Sequence, residues 1–171
     1  MGHSTERTQR RYGRPARFRA GSANGFTLIE MVFVTTVLGL LGALVVPKAQ
    51  EFVDRAKVAR AIGDISAIQI GIDGFAADTD SLPTSLVEIG RAGFLDPWGR
   101  PYVYNNFSLS NDNGVPQDAR RDRFLVPINS TYDLYSVGED GSSAPALAAG
   151  PSKDDIVRAN DGGFIGRATL Y

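Results

Sequence analysis

Between positions 26 and 46 the chain reads "FTLIEMVFVTTVLGLLGALVV", 21 residues whose only charge is Glu30. As an α-helix this run would span ~31 Å, close to the hydrocarbon thickness of a bilayer. A carboxylate within such a run is costly and is normally retained for a function. Residues 1–25 hold Arg7, Arg10, Arg11, Arg14, Arg17 and Arg19 against Glu6, a net charge of +5. The remaining 12 Lys/Arg and 18 Asp/Glu give −6. Basic leader, apolar run and acidic remainder read as a processing or anchoring segment joined to one modest domain.

A cleaved secretory signal has a core of about 7–15 residues and a small-x-small cleavage site. This run is longer and ends in "VVPKAQ". A plain signal anchor explains the length, and it explains the orientation, since the arginines stay cytoplasmic. It leaves Glu30 unexplained. The chain has no cysteine, and its one histidine is His3 in the leader. Thiol chemistry, disulfides, zinc sites built on His or Cys and His-dependent triads are therefore excluded outside the leader. The expectation is a non-enzyme with no nucleic-acid partner.

Read together, the leader, the stretch "GFTLIE" and the apolar run resemble the class III signal of the type IV pilin and type II secretion pseudopilin superfamily. The resemblance implies cleavage by a prepilin peptidase between Gly25 and Phe26, with N-methylation of Phe26. The new α-amine, with a reference pKa near ~7.7–8.0, would be cationic. It implies further that Glu30 meets this amine on a neighbouring subunit and so sets the stagger of a homopolymer. Pairing with its own Phe26 amine is the alternative, since residues four apart share a helix face.

Pro47 ends the run, and Gly39 and Gly42 weaken the helix before it. A kink and local melting both remain open there. Beyond it Phe52, Ala56, Ala59, Ile62, Ile65, Ile68, Ile72 and Phe75 recur every three or four residues, an amphipathic stripe. One helix is predicted from Thr27 to near Gly74: a membrane or filament-core half at 26–46, then an amphipathic half at 47–76.

Residues 77–171 read as a globular domain. "TSLVEIG" predicts a short helix capped by Ser85 and Glu88. Asp96-Pro97-Trp98-Gly99 has a type I turn pattern. Strands are predicted at Tyr102–Tyr104, "RFLVPIN" and "TYDLYSVG". The arginines of "NDNGVPQDARRDR" read as solvated surface, with a contact between subunits as the alternative. Ile156, Val157, Phe164 and Ile165 are expected to return to the core, with Asp161 in a turn.

"LPTSLVEI", "LDPWGRPYVY" and "YDLYSVGEDG", in this order, resemble the G-type major pseudopilins of type II secretion. The resemblance implies an α+β, type IV pilin-like fold. In it a long N-terminal helix packs on a small antiparallel sheet with a C-terminal loop. It also implies a structural calcium in the loop at 138–156, held by Asp140, Asp154 and Asp155 with the Val137 carbonyl; the alternative is that Asp155 begins a final helix or turn and Asp154 is solvated. Calcium takes six to eight oxygen ligands, and this long loop has no disulfide to close it. The loop departs from the family in length, and "SSAPALAAG" replaces a Gly-Gly-x-Gly segment.

The function implied is that of a pseudopilus subunit. It would lie in membrane lipid before assembly, crossing the inner membrane once with a cytoplasmic N-terminus and a periplasmic domain. It would then polymerise into a periplasmic filament, with extension to the cell surface left open. Implied partners are the prepilin peptidase, minor pseudopilins, a platform protein and an assembly ATPase. A cysteine-free type IV pilin or minor pilin is the alternative within the class. A membrane-anchored periplasmic binding domain is the alternative outside it.

Overall fold

An amphipathic helix must bury its apolar stripe against another surface. Here a four-stranded antiparallel meander supplies it. The computed structural model describes residues 25–110 and 116–171, with the side chains of Leu44 and Pro47 excepted. The leader, apart from Gly25, lies outside the described residues, as do positions 111–115 of the polar loop. Helix α1 spans Leu28–Thr79, ending five residues beyond Gly74. The helical assignment runs unbroken through Gly39, Gly42 and Pro47. The chain divides between Ala43 and Leu44 into two units.

In the first unit the apolar side chains face solvent. Phe26 is 76% exposed, Leu28 83% and Phe33 69%. α1 is the one helix, among the described residues, long and apolar enough by length and composition to cross a membrane. The two threonine hydroxyls in its apolar half need no outside partner. Thr35 donates to the Met31 carbonyl at 2.9 Å and Thr36 to that of Val32 at 2.7 Å.

In the second unit β1 (Val103–Asn106), β2 (Tyr132–Ser136), β3 (Ile156–Ala159) and β4 (Phe164–Arg167) lie in sequence order. The register pairs Val103 with Tyr135, Tyr135 with Val157, and Val157 with Gly166. Ala61, Ile65, Ile68 and Ile72 of α1 pack with Tyr102, Tyr132, Leu134 and Ile156. Those helical positions step by four, three and four residues, one face of the helix. Full burial of each such side chain contributes about 1.5–3 kcal/mol. Val157 and Ala159 point to the other side of the sheet, where Ile128, Leu147 and Ala168 cover them. Of the predicted stripe, Phe52, Ala56 and Ala59 are exposed.

Arg158 on β3 is buried and ties the sheet to the helix. Its Nε donates to Gln69 Oε1 at 3.1 Å and its Nη1 to the Tyr132 carbonyl at 3.3 Å, with the guanidinium 4.0 Å from the Tyr132 ring centre. The hairpin from β3 to β4 turns at Asn160–Gly162. There Asp161 accepts the Ser130 amide and hydroxyl, each at 2.8 Å, in the expected turn role.

Two predicted elements differ. "RFLVPIN" is irregular, with Phe124 92% and Val126 66% exposed. Pro127 has no N–H for a ladder, and the Asp122 amide instead closes a turn on the Leu125 carbonyl. "TSLVEIG" forms successive turns rather than a helix. Glu88 takes both donors of Thr84, the amide at 2.8 Å and the hydroxyl at 2.7 Å, in place of a Ser85 cap.

Candidate functional site

The N-terminal end of α1 is organised by its own sequence. The Thr27 hydroxyl accepts the Glu30 amide at 3.2 Å, and Glu30 Oε2 reaches back to the Thr27 amide at 3.5 Å. This is a capping box, with Thr27 as the cap and Glu30 three residues on. "T-L-I-E" carries the signal in the sequence. Gly25 and Phe26 precede the helix in exposed, non-helical backbone, and Glu30 is exposed. The back-bond is long, so the carboxylate is only weakly engaged within its own chain.

The second cluster joins two motifs far apart in sequence. Asp96, which is buried, accepts the Trp98 and Arg100 amides on Oδ1 at 3.0 and 2.8 Å. Its Oδ2 accepts the Ser136 hydroxyl at 2.5 Å. The Arg100 side chain donates to the Gly138 carbonyl at 2.7 Å. The "DPWG" turn is thus bolted to "SVGEDG". Gly138 has φ of +64°, and a Cβ there would lie 2.6 Å from the Asp154 carbonyl oxygen and carboxylate. Glycine is required on both counts.

The loop from 137 to 155 is closed by the chain's own donors. Asp154 Oδ2 accepts the Glu139 and Asp140 amides at 2.6 and 2.9 Å, and Asp140 Oδ1 accepts the Ser142 amide at 2.7 Å. Ser152 Oγ accepts the Ala144 amide at 3.0 Å and donates to the Ala144 carbonyl at 2.8 Å. Asp155 is fully buried, and its Oδ2 meets Arg120 Nη2 at 2.5 Å and the Ser143 hydroxyl at 2.6 Å. Burial pushes the Asp155 carboxyl up, and the Ser143 hydrogen bond and the Arg120 charge pull against it.

Asp140 and Asp154 therefore come together through backbone amides, while Asp155 is held by Arg120. Val137 lies half-buried between β2 and Gly138. As arranged, Asp155 is committed to Arg120 and does not join Asp140 and Asp154 around a common point. No group of three His, Cys, Asp or Glu among the described residues is placed to hold a metal. Arg120 corrects the reading of its loop as solvated surface: it is 1% exposed, whereas Arg121 and Arg123 are exposed. Asp96, Arg100, Ser136 and Arg158 were also missed as structural groups. Only the motif membership of the first three offered a signal.

A long N-terminal helix, apolar then amphipathic, with a small antiparallel sheet and a clamped loop defines a pilin-like subunit. No family model matches the chain, and no solved structure matches it. Comparison with known proteins finds type II secretion system core protein G of Pseudomonas aeruginosa, 33% identical over 140 residues, covering 69% of this chain and 84% of that protein. The protein of the same name from Escherichia coli K12 is 30% identical over 154 residues, covering 78% and 88%. That of Pectobacterium carotovorum is 26% identical over 161 residues, covering 91% and 97%. The chain belongs to the type II secretion system core protein G family of pseudopilins.

Proposed function

We propose that the chain is the repeating subunit of a pseudopilus that serves type II protein secretion. The observation that carries this reading is the exposed apolar first half of α1 around one exposed carboxylate, Glu30, in a chain of this family. An apolar surface of that extent requires cover. Lipid supplies it before assembly and neighbouring helices supply it afterwards.

The precursor sits in the inner membrane with its arginines cytoplasmic and its domain periplasmic. A prepilin peptidase cuts between Gly25 and Phe26, in backbone that is already exposed and non-helical, and Phe26 is N-methylated. Glu30 then exchanges its long contact with Thr27 for the Phe26 amine of an adjacent copy. In an apolar surrounding that ion pair is strongly favoured over two separate charges. The segment from Gly39 to Pro47, helical in the single chain, is where unwinding or kinking accommodates packing in the fibre. A platform protein, an assembly ATPase and minor pseudopilins complete the machine.

The test is mass spectrometry of the N-terminus of envelope-recovered protein, combined with imaging of purified assemblies. Mature chains beginning at methylated Phe26 and stacked into fibres are expected. Chains that keep residues 1–25 and remain monomeric would overturn the reading.

A further inference from the structure

We propose that the loop between β2 and β3 is closed by an internal cation, the Arg120 guanidinium, so that the subunit's fold does not depend on calcium. Arg120 ties the middle of that loop to its C-terminal end. Nη1 donates to Ser143 Oγ at 2.5 Å and to the Ala144 carbonyl at 2.7 Å, while Nη2 meets Asp155 Oδ2 at 2.5 Å. A metal ion would close a loop by the same principle, collecting oxygens from separate stretches of chain. Ser143 completes the triangle by donating to the same Asp155 oxygen.

The guanidinium is anchored from behind. Its own amide donates to Asp133 Oδ2 at 2.6 Å, its carbonyl accepts the Ile128 amide at 3.0 Å, and its plane lies 4.3 Å from the Tyr135 ring centre. The next residue adds backbone bonds to the loop. The Arg121 amide donates to the Pro145 carbonyl and the Leu147 amide to the Arg121 carbonyl, both at 2.9 Å. A planar fork with donors in two directions suits this geometry, and a lysine ammonium does not match it.

Electrostatics decides between the two cations. The remaining oxygen of Asp155 and Nε of Arg120 are buried without hydrogen-bond partners. A divalent ion on that oxygen would lie within a few ångströms of a buried positive charge, where like charges repel strongly. The other two carboxylates already hold backbone amides through Asp154 Oδ2 and Asp140 Oδ1. This closure is independent of which fibre the chain builds.

The experiment uses the full chain in detergent, melted and digested with protease in millimolar calcium and again in excess chelator. Melting temperatures within ~1 °C and the same digestion pattern are expected. A chelator-induced fall in melting temperature, or new cleavage within 138–155, overturns the proposal. Arg120→Met leaves Asp155 buried without its partner and should lower the melting temperature by on the order of 10 °C. Arg120→Lys should lower it too, and Arg120→Met with Asp155→Asn should recover part of the loss. If Arg120→Met melts like the parent, the proposal is overturned. If Arg120→Met yields no folded protein, the loss agrees with the proposal, and the chelator comparison on the parent chain still discriminates.

Discussion

Ser136 donates its hydroxyl to Asp96 Oδ2 at 2.5 Å across 40 positions of sequence, and both residues are buried. The same carboxylate holds two amides of its own turn. One acid therefore fixes the "DPWG" turn and sets it against the end of β2. Asp96→Ala would strand three donors together in a dry site. The expected loss is about 2–4 kcal/mol, with about 1 kcal/mol for Ser136→Ala. Urea unfolding curves measure both, and an Asp96→Ala value near zero would show that the turn stands without its carboxylate.

Glu30→Ala should separate insertion from assembly. Membrane fractionation is expected to be unchanged, because the substitution only increases apolarity. Fibre yield is expected to fall more than ~10-fold, since each ~1.4 kcal/mol lost from a contact is a factor of ten. Electron microscopy of sheared material gives the answer, and abundant fibres from this variant would remove the intersubunit role of Glu30.

Along α1, burial predicts two opposite outcomes. Ile68 is 0% exposed, and Ile68→Ala should cost about 2–5 kcal/mol through lost transfer energy and a residual cavity. Phe52 is 67% exposed, and Phe52→Ala should change stability by no more than about 0.5 kcal/mol. Its effect should appear in assembly instead. Paired denaturation and sedimentation assays on the two variants distinguish core from interface.

Alkaline pH should unfold the domain through its tyrosines. Burial pushes the Tyr132 phenol up to about 12, with Arg158 pulling it back, and burial raises Tyr102 and Tyr104 further still. A raised phenol pKa means the folded state holds its proton more tightly than the unfolded chain. That contribution to stability is complete below about pH 10 and is lost as pH rises through about 12. Tyrosinate absorbance and circular dichroism followed together should show these groups ionising as structure is lost. Their full ionisation in a natively folded domain would contradict this burial.

How far the sequence could be read depended on how far apart the interacting residues lie. The apolar run, the long helix, the "DPWG" turn and the strands beginning near Tyr102 and Tyr132 were legible, because each rests on neighbours within one or two turns of chain. The buried half of the helical stripe was legible for the same reason, from its spacing. The exposed half was not, since spacing alone does not say which apolar residues meet a partner. "RFLVPIN" has a strand's composition, but the Leu125 carbonyl closes a turn and the Ile128 amide and carbonyl bond to Arg120 and Asn160 rather than to a neighbouring strand.

Much of the local order in this protein was written in the chain: residue spacing, cap and turn chemistry and side-chain size are read over a few positions, and periodicity and motif sufficed for the long helix and the "DPWG" turn, though not for "TSLVEIG" or "RFLVPIN". The fates of its buried charges were decided only by the tertiary structure. Arg120 meets Asp155 across 35 positions and Arg158 meets Gln69 across 89. Whether such a guanidinium is solvated or becomes a structural cation depends on strand register and helix docking, which bring a desolvated carboxylate or amide within reach of it.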